Sequence, residues 1–526
     1  MRNTITRIAI ALWLLLAGCA ANPVTGENQL VLLPQSMEIE MGRSQYAPGR
    51  QMHGGDYVLD PDLAAYVRAV GQRIAAASDR RLPYEFAVLN SSVPNAWALP
   101  GGKIAVTRGL LVKLNSEAEL AAVLGHEIVH AAARHGARNV ERRLLLQGAL
   151  LAVAIATGGN DYSGLAVGAA GLGAELLNQR YSRGAELEAD RYGIVYMVRA
   201  GYDPRAAVTL QETFVRLSRS KQPDWLGGLF ASHPPSTERM RQNRATVAGL
   251  APAGGEMGRQ RYRRQTARLR RRQPAYEDFD KARRALKGGD TAKALSLVNA
   301  ALEIEPRESR FHTLLGDILS SQGRRREALA AYNRAVRLDP GYFRNYYQRG
   351  RLWMKQGDMP QARQDLEKSL ALLPTADGSY ALGRLLIRQG ERRRAVKLFR
   401  TAAKSHSPAG RAALRALHIY DLPDHPDRYL DTRLEENQGR FRVIISNPAS
   451  VALTGLRVRV TRSRKHYFEF TINRVLKPGG RFTVQTDRRV NNKKELYKWH
   501  VSVQEAVPAN PERILQDVEK EGHMAP

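Results

Sequence analysis

Apolar positions along this chain follow four successive patterns, and each predicts a different kind of element. A short apolar run, Ile8 to Leu16, stands behind Arg2 and Arg7 at the N-terminus. Roughly residues 27–250 then mix helical periodicity with short β-like runs such as KIAVTRGLL. From Tyr276 to about residue 410 the pattern is helical and repeats itself. Over about 431–508 it shortens to alternating stretches, RFRVIISN, LRVRVTR, HYFEFTIN, RFTVQTD and KWHVSVQ, set apart by turn signals such as KPGG and RRVNNKK. Alternation of that length predicts a small all-β, sandwich-like module.

The helical repeat has a fixed step. Pro306, Pro340 and Pro374 lie 34 residues apart, as do Gly289, Gly323 and Gly357, and Ala294, Ala328 and Ala362; Ala395 falls one short. Gly316 and Gly350 keep the same step. Small residues where paired helices touch, with proline after the second helix, resemble the tetratricopeptide repeat. Such an α-solenoid presents a concave surface to a peptide or partner protein.

A chain of 526 residues is too long for one core and predicts two to four domains. The net charge of +30 favours acidic partners: nucleic acid, anionic lipid or lipopolysaccharide phosphates. No nucleic-acid-binding fingerprint accompanies it, and no nucleic-acid partner is expected. Eight of the basic residues crowd into GRQRYRRQTARLRRRQ (258–273), which reads as a solvated linker or exposed helix.

The N-terminal run is too short to span a bilayer and reads as a secretory signal. Its end, LAGC, resembles the bacterial lipobox, whose cysteine is acylated. Cys19 is the only cysteine of the chain, so it has no internal disulfide partner. Ala20 follows it, which by resemblance to enterobacterial sorting points to the outer membrane, facing the periplasm. The expected organisation is a signal peptide (1–18), a metallopeptidase domain (19–255), an arginine-rich linker (256–275), a repeat domain (276–410), the β module (431–508) and a tail (509–526).

LGHEIVHAAARH, Leu124 to His135, is where chemistry enters. Ser116 and Glu119 form a capping box ahead of it, predicting a helix start. On that helix His126 and His130 differ by about 40° and face one way. Glu127 sits beside them, the arrangement in which two histidines hold zinc and the glutamate is a general base. The bland alternative is a helix with incidental polar residues. A catalytic zinc needs a third protein ligand. His135 falls about 140° round a continuous helix from His130, so it is not expected to be one. A metzincin would need Gly at 133 and His at 136, where this chain has Ala133 and Gly136. YSRGAELEADRYG (181–193) offers Glu186 and Asp190 on one helical face; one carboxylate can bind metal while the other accepts the outer N–H of a ligand histidine.

GHEIVHAAARH, SRGAELEAD, NAWALPGGKIAVTRGLL and SHPPSTERM together resemble the HtpX and CAAX-prenyl-protease superfamily of gluzincins. The soluble periplasmic branch, the BepA-like metallopeptidases with tetratricopeptide repeats, is most similar, and NPVTGENQLVL agrees with it. The resemblance covers about 24–245, and the final β module lies outside it. It implies one zinc per chain on His126, His130 and Glu186, with Glu127 as base and Asp190 behind His126. It places Asn95 and Ala96 on an edge strand to which an extended substrate adds. His233, 47 residues beyond Glu186, matches the family's His-Pro loop and is expected either to latch the metal site or to stabilise an oxyanion.

The expected fold class is therefore multidomain: a mainly α (α+β) gluzincin domain, an α-solenoid and a small all-β module. The expected function is a lipid-anchored periplasmic zinc endopeptidase in envelope quality control. Its substrates would be unfolded or stalled envelope proteins, and its repeats would meet the outer-membrane assembly machinery. The alternative is a chaperone-like assembly scaffold with proteolysis secondary. The apolar, Gly/Ala-rich stretch 144–177 is expected to be a buried helical pair or a lid over the cleft.

Overall fold

The computed structural model describes residues 19–156, 180–218, 233–250, 254–490 and 496–512, with backbone alone for Cys19 and 147–156. The expected signal peptide, the end of the tail and most of 144–177 lie outside the described residues. The chain divides into two compact units, Met1–Asn345 and Tyr346–Pro526.

The first unit begins with a small antiparallel pair, β1 (Cys19–Ala21) and β2 (Asn28–Leu30), then helices α1 (Gln35–Met52) and α2 (Pro61–Ala75). Strands β3 (Glu85–Leu89), β4 (Ala96–Leu99) and β5 (Lys103–Thr107) form a sheet in the order β3-β5-β4. Strand β3 runs parallel to β5, and β4 antiparallel to it, so β4 is an edge. There follow α3 (Arg108–Leu111), α4 (Glu117–Ala132), α5 (His135–Ala156), α6 (Arg183–Arg199), α7 (Arg205–Ser218) and α8 (Thr237–Gly249).

Helix α4 is the centre of the core, and every one of its residues is buried. Ser116 Oγ accepts from Glu119 N at 3.1 Å, while the Glu119 carboxylate reaches back to Asn115 N at 2.7 Å rather than to Ser116 itself. Helix α6 crosses α4 where Gly125 meets Gly193. A Cβ on Gly125 would sit 3.1 Å from Gly193 O, and one on Gly193 3.0 Å from His126 N. Only glycines permit that approach, and it brings the carboxylates of α6 to the histidines of α4.

Helix α4 stops just after the histidines. Arg134 adopts φ 63°, a left-handed turn that breaks the helix before α5 begins at His135. The buried Arg134 guanidinium holds the turn, donating to Glu38, to Leu33 O at 2.8 Å and to Glu141 at 3.0 Å. Further on, Leu144, Leu145 and Leu146 are exposed. These three are the residues of 144–177 whose side chains are described; the rest of the expected pair or lid lies outside them. Among the described residues no helix is long and apolar enough to cross a membrane.

The arginine-rich stretch, expected to be a solvated linker or an exposed helix, is helical; most of its arginines are exposed and one face is buried. Helix α9 (Arg259–Gln265) and α10 (Ala267–Lys287) set Tyr262, Leu269 and Tyr276 into the core at a seven-residue step, two helical turns apart. Tyr262 Oη donates to Leu111 O at 2.6 Å. The arginines between them pair with the same core: Arg270 with Leu114 O at 2.7 Å, Arg272 with Glu305 at 2.6 Å, Arg268 with Asp62 at 3.0 Å. Composition pointed to solvent; an apolar face every second turn decided otherwise.

The helical repeats follow as α11 (Thr291–Ile304), α12 (Ser309–Ser321), α13 (Arg325–Leu338) and α14 (Phe343–Gln356), then α15 (Met359–Leu372), α16 (Ala376–Arg388), α17 (Arg392–Ala402) and α18 (Pro408–Tyr420). Gly289, Gly323, Gly357 and Gly390 all carry positive φ between paired helices, and Ala294, Ala328, Ala362 and Ala395 are fully buried. The first repeat continues the peptidase core: Arg108 lies 3.3 Å from the Tyr276 ring centroid, and Glu308 accepts from Tyr276 Oη at 2.7 Å and Asn90 Nδ2 at 3.0 Å.

The second unit ends in a β-sandwich of β6 (Asp431–Asn437), β7 (Arg440–Ser446), β8 (Leu453–Ser463), β9 (His466–Ile472), β10 (Arg481–Arg489) and β11 (His500–Pro508). Its sheets have the orders β10-β7-β6 and β11-β8-β9. The alternating Val443 and Ile445 of β7 and Leu456, Val458 and Val460 of β8 fill the space between them.

Candidate metal centre

Helix α4 presents His126 and His130 side by side, with Nε2 atoms 3.0 Å apart. Helix α6 presents Glu186 one turn from its start, where Ser182 Oγ caps Ala185 N at 3.2 Å. The Glu186 carboxylate lies 3.5 Å from each of those Nε2 atoms. His233 arrives from the His-Pro-Pro segment before α8. Its Nδ1 is 2.8 Å from Glu186 Oε1 and 3.3 Å from His126 Nε2. Donor atoms of His126, His130, Glu186 and His233 all fall within 4.8 Å of one another.

Asp190 lies one turn beyond Glu186 and accepts from His126 Nδ1 at 2.9 Å, leaving His126 Nε2 to face the cluster. Glu127, on α4 between the histidines, is buried; its Oε1 is 3.8 Å from His233 Nε2, and its Oε2 has no hydrogen-bond partner.

Arg239 was missed by the sequence reading. Ser236 caps α8 by accepting from Arg239 N at 3.1 Å, and this sets the guanidinium on Asp190 through two hydrogen bonds of 2.7 Å. Its Nη1 also lies 2.9 Å from Glu186 Oε2, at an angle that makes no hydrogen bond. The signal was the conjunction of a helix cap with an arginine three residues on, in the SHPPSTER motif itself.

His135 was set aside on the premise of a continuous helix. The break at Arg134 returns it to His130, Nδ1 to Nδ1 at 2.7 Å, so one ring donates and the other accepts. His135 Nε2 lies 3.3 Å from Glu188 Oε1, outside hydrogen-bond geometry, and Asn22 Nδ2 donates to that same oxygen at 3.3 Å. Tyr181 stacks on His130, with centroids 3.9 Å apart and planes 18° apart.

Donor type, spacing and charge all fit a divalent cation. Ligands about 2.1 Å from a tetrahedral zinc are about 3.4 Å from each other, close to the nitrogen separations here. Glu127, Glu186 and Asp190 carry three negative charges against the single guanidinium of Arg239, a balance of minus two with neutral imidazoles. The His126 imidazole can offset one of those two charges by taking up a proton. Burial opposes its charge, but Asp190 and Glu186 outweigh burial and push its pKa up to about 10. His130, whose burial is not so offset, is held well below the ordinary range. Burial raises the carboxyl pKa of Glu127.

Of the other expected site residues, Ala96 begins β4, paired with Val106, and Asn95 exchanges bonds with Thr107 just before it. Among the described residues no strand covers the outer edge of β4. Cys19 opens β1, and nothing is described of its side chain. Beside Glu127 and His126 lies a small cavity of about 40 Å³, walled by Val123, Ile194, Met197, Leu210 and Phe214 and by the polar Gln211 and Asn243.

Residues 61–247 match the family model of peptidase family M48, and residues 279–343, 315–377 and 380–417 that of the tetratricopeptide repeat. The chain is 32% identical over 212 residues to the mitochondrial metalloendopeptidase OMA1 of Arabidopsis thaliana, covering 39% of this chain and 41% of that protein. It is 33% identical over 210 residues to the putative β-barrel assembly-enhancing protease of Vibrio cholerae serotype O1, covering 37% and 41%. It is 29% identical over 208 residues to the metalloprotease YcaL of Escherichia coli K12, covering 39% and 77%. The chain thus matches less than half the length of the first two relatives. It carries a peptidase family M48 domain joined to tetratricopeptide repeats.

Proposed function

We propose that the chain is a zinc endopeptidase whose metal is held by His126, His130 and Glu186. The observation that carries this reading is the convergence of four buried donors beside a carboxylate oxygen, Glu127 Oε2, that has no partner. Bound zinc supplies a Lewis acid for the scissile carbonyl and acidifies water. With the metal in place, Glu127 would serve as the base that accepts a proton from water and returns it to the leaving amine; burial raises its pKa, which suits an acid-base group. Asp190, itself fixed by Arg239, holds His126 in one tautomer. An extended substrate adds through its main chain at Asn95 and Ala96, where no described strand pairs with β4 although its residues are buried. The small cavity beside Glu127, apolar along Val123, Ile194, Met197, Leu210 and Phe214, is where a small side chain of that substrate would begin to enter.

His233 is a latch in this reading. Its ring lies between Glu127 and the other donors, where the attacking water must stand, so turnover requires its departure. The rival role, an oxyanion donor, needs the same residue to stay.

Cys19 is the acylated anchor that holds the enzyme on the periplasmic face of the outer membrane, supported by the apolar run before it. The similarity to the Vibrio protein, a putative β-barrel assembly-enhancing protease, supports β-barrel proteins, unfolded or stalled, as clients under quality control. The repeats are the surface for clients or assembly machinery. They also support the second reading, an assembly scaffold that cuts only occasionally.

Two variants test the chemistry. Glu127→Gln is expected to keep zinc and lose nearly all cleavage of an unstructured protein such as casein; Glu186→Ala is expected to lose both. Full zinc occupancy in purified Glu186→Ala protein would remove Glu186 from the ligand set.

A further inference from the structure

The C-terminal sandwich has one end unlike the rest of its surface. Phe441, Phe468 and Trp499 meet there, with ring centroids 5.2 to 6.2 Å apart. That cluster gathers the β6–β7 turn, the β8–β9 turn, the last residues of β10 and the first of β11. The exposed side chains they carry are Arg440, Arg464, Lys465, Arg488, Arg489 and Lys498. Among the described residues the acids at this end include Asp487, 3.7 Å from Arg440, and Glu436, which accepts from Gly439 N at 2.8 Å.

Two details separate this end from an ordinary solvated surface. Arg489 and Arg440 are directly opposed across β10 and β7, a pairing of like charges that a fully exposed Asp487 at 3.7 Å offsets only in part. Tyr497, 84% exposed, and Tyr467, 50% exposed, stand among the cations. Edge protection alone would put lysines along the outer strands; here the cations lie on turns and strand ends, together with aromatic rings.

We infer that this end of the sandwich is a docking surface for a bilayer rich in anionic lipid headgroups. Cations reach the headgroup phosphates, and the tyrosines, apolar in the ring and polar at the tip, enter the interfacial layer. The inference does not rest on the peptidase reading or on acylation of Cys19.

The test uses the full chain with Cys19→Ser, so that no acyl chain contributes, and co-sedimentation with vesicles of phosphatidylglycerol mixed into phosphatidylcholine at about 0.1 M salt. Binding is expected to rise with the phosphatidylglycerol fraction. Reversing Arg464, Lys465, Arg488 and Lys498 to Glu should weaken it by about 10²–10³-fold, at about tenfold or less per charge. Tyr497→Ala should weaken it several-fold with no change of charge. The control reverses Arg325, Arg326, Arg393 and Lys397, exposed residues of the repeats, and should leave most of the binding. Equal loss in the control would reduce the effect to net charge and overturn the assignment. So would unchanged binding in the tip variant, or retention of a single-stranded oligonucleotide by a protein that ignores the vesicles. Melting curves matching the parent exclude misfolding as the cause.

Discussion

Glu127 Oε2 is buried without a partner, and the nearest ring nitrogen to the other oxygen belongs to His233. A carboxylate in that position is costly unless a proton, water or cation completes it. The same economy explains Asp190, which burial would neutralise were it not for Arg239 and His126; they hold its pKa down. The residue whose role is most exposed to experiment is His233. If its ring is a latch, His233→Ala should cut casein faster than the parent at equal zinc loading, and self-cleavage should increase. Loss of an oxyanion donor would instead slow turnover by about 10²–10³-fold. Casein turnover with zinc measured in the same sample separates the two, and a slower variant that keeps its zinc ends the latch reading.

At the scale of elements, α10 belongs to two structures at once. Its first half lies against the peptidase core, and its Tyr276 and Phe279 meet Phe311 of the first repeat, at 5.3 and 5.2 Å between ring centroids. A chain ending after Arg272 would therefore expose the Arg108 side chain and strip the core beneath. It is expected to unfold at markedly lower temperature than a chain ending after Gln356, which keeps the first unit whole; Tyr276→Ala in the full chain should cost about 3–5 kcal/mol. Calorimetry of both truncations checks this, and equal melting temperatures would contradict it. A second element carries a pH dependence. His418 on α18 is 2% exposed, and burial, aided by Arg415, lowers its pKa to about 4. The unfolded chain, with an ordinary histidine, takes up the proton first as pH falls. The stability this group contributes is thus complete above about pH 6.5 and lost towards pH 4, by up to about 3 kcal/mol. In urea unfolding, the advantage of a His418→Leu variant over its parent should grow by that amount between pH 7 and pH 4.5.

At the scale of the molecule, two devices are expected to keep the chain at a membrane: acylated Cys19 and the basic end of the sandwich. They differ in what removes them. Electrostatic docking weakens steeply with salt, whereas an acyl chain does not. Cys19→Ser protein is therefore expected in the soluble fraction after a high-salt, alkaline wash, and parent protein in the membrane fraction. Persistence of the variant in the washed membranes would mean that some other segment anchors the chain.

The sequence by itself determined whatever repeats or has a fixed chemical spacing. His126 and His130 one turn apart, glycine and alanine on a 34-residue step, and alternation from 431 onward are local patterns, and the backbone periodicities of helix and strand turn them into faces. Tertiary structure decided what depends on where helices stop and cross. The break at Arg134 is held by Glu38 and Glu141, residues distant from it along the chain or two turns further on, so His135 could not be placed beside His130 from spacing. The contact of Gly125 with Gly193 brought Glu186 to the histidines. Arg239 gained a role only once α8 was set against α6, since a lone arginine after a helix cap carries no address of its own. The arginine-rich stretch misled for the same reason: charge counts side chains, but burial follows the face that the apolar residues share, and Tyr262, Leu269 and Tyr276 share one.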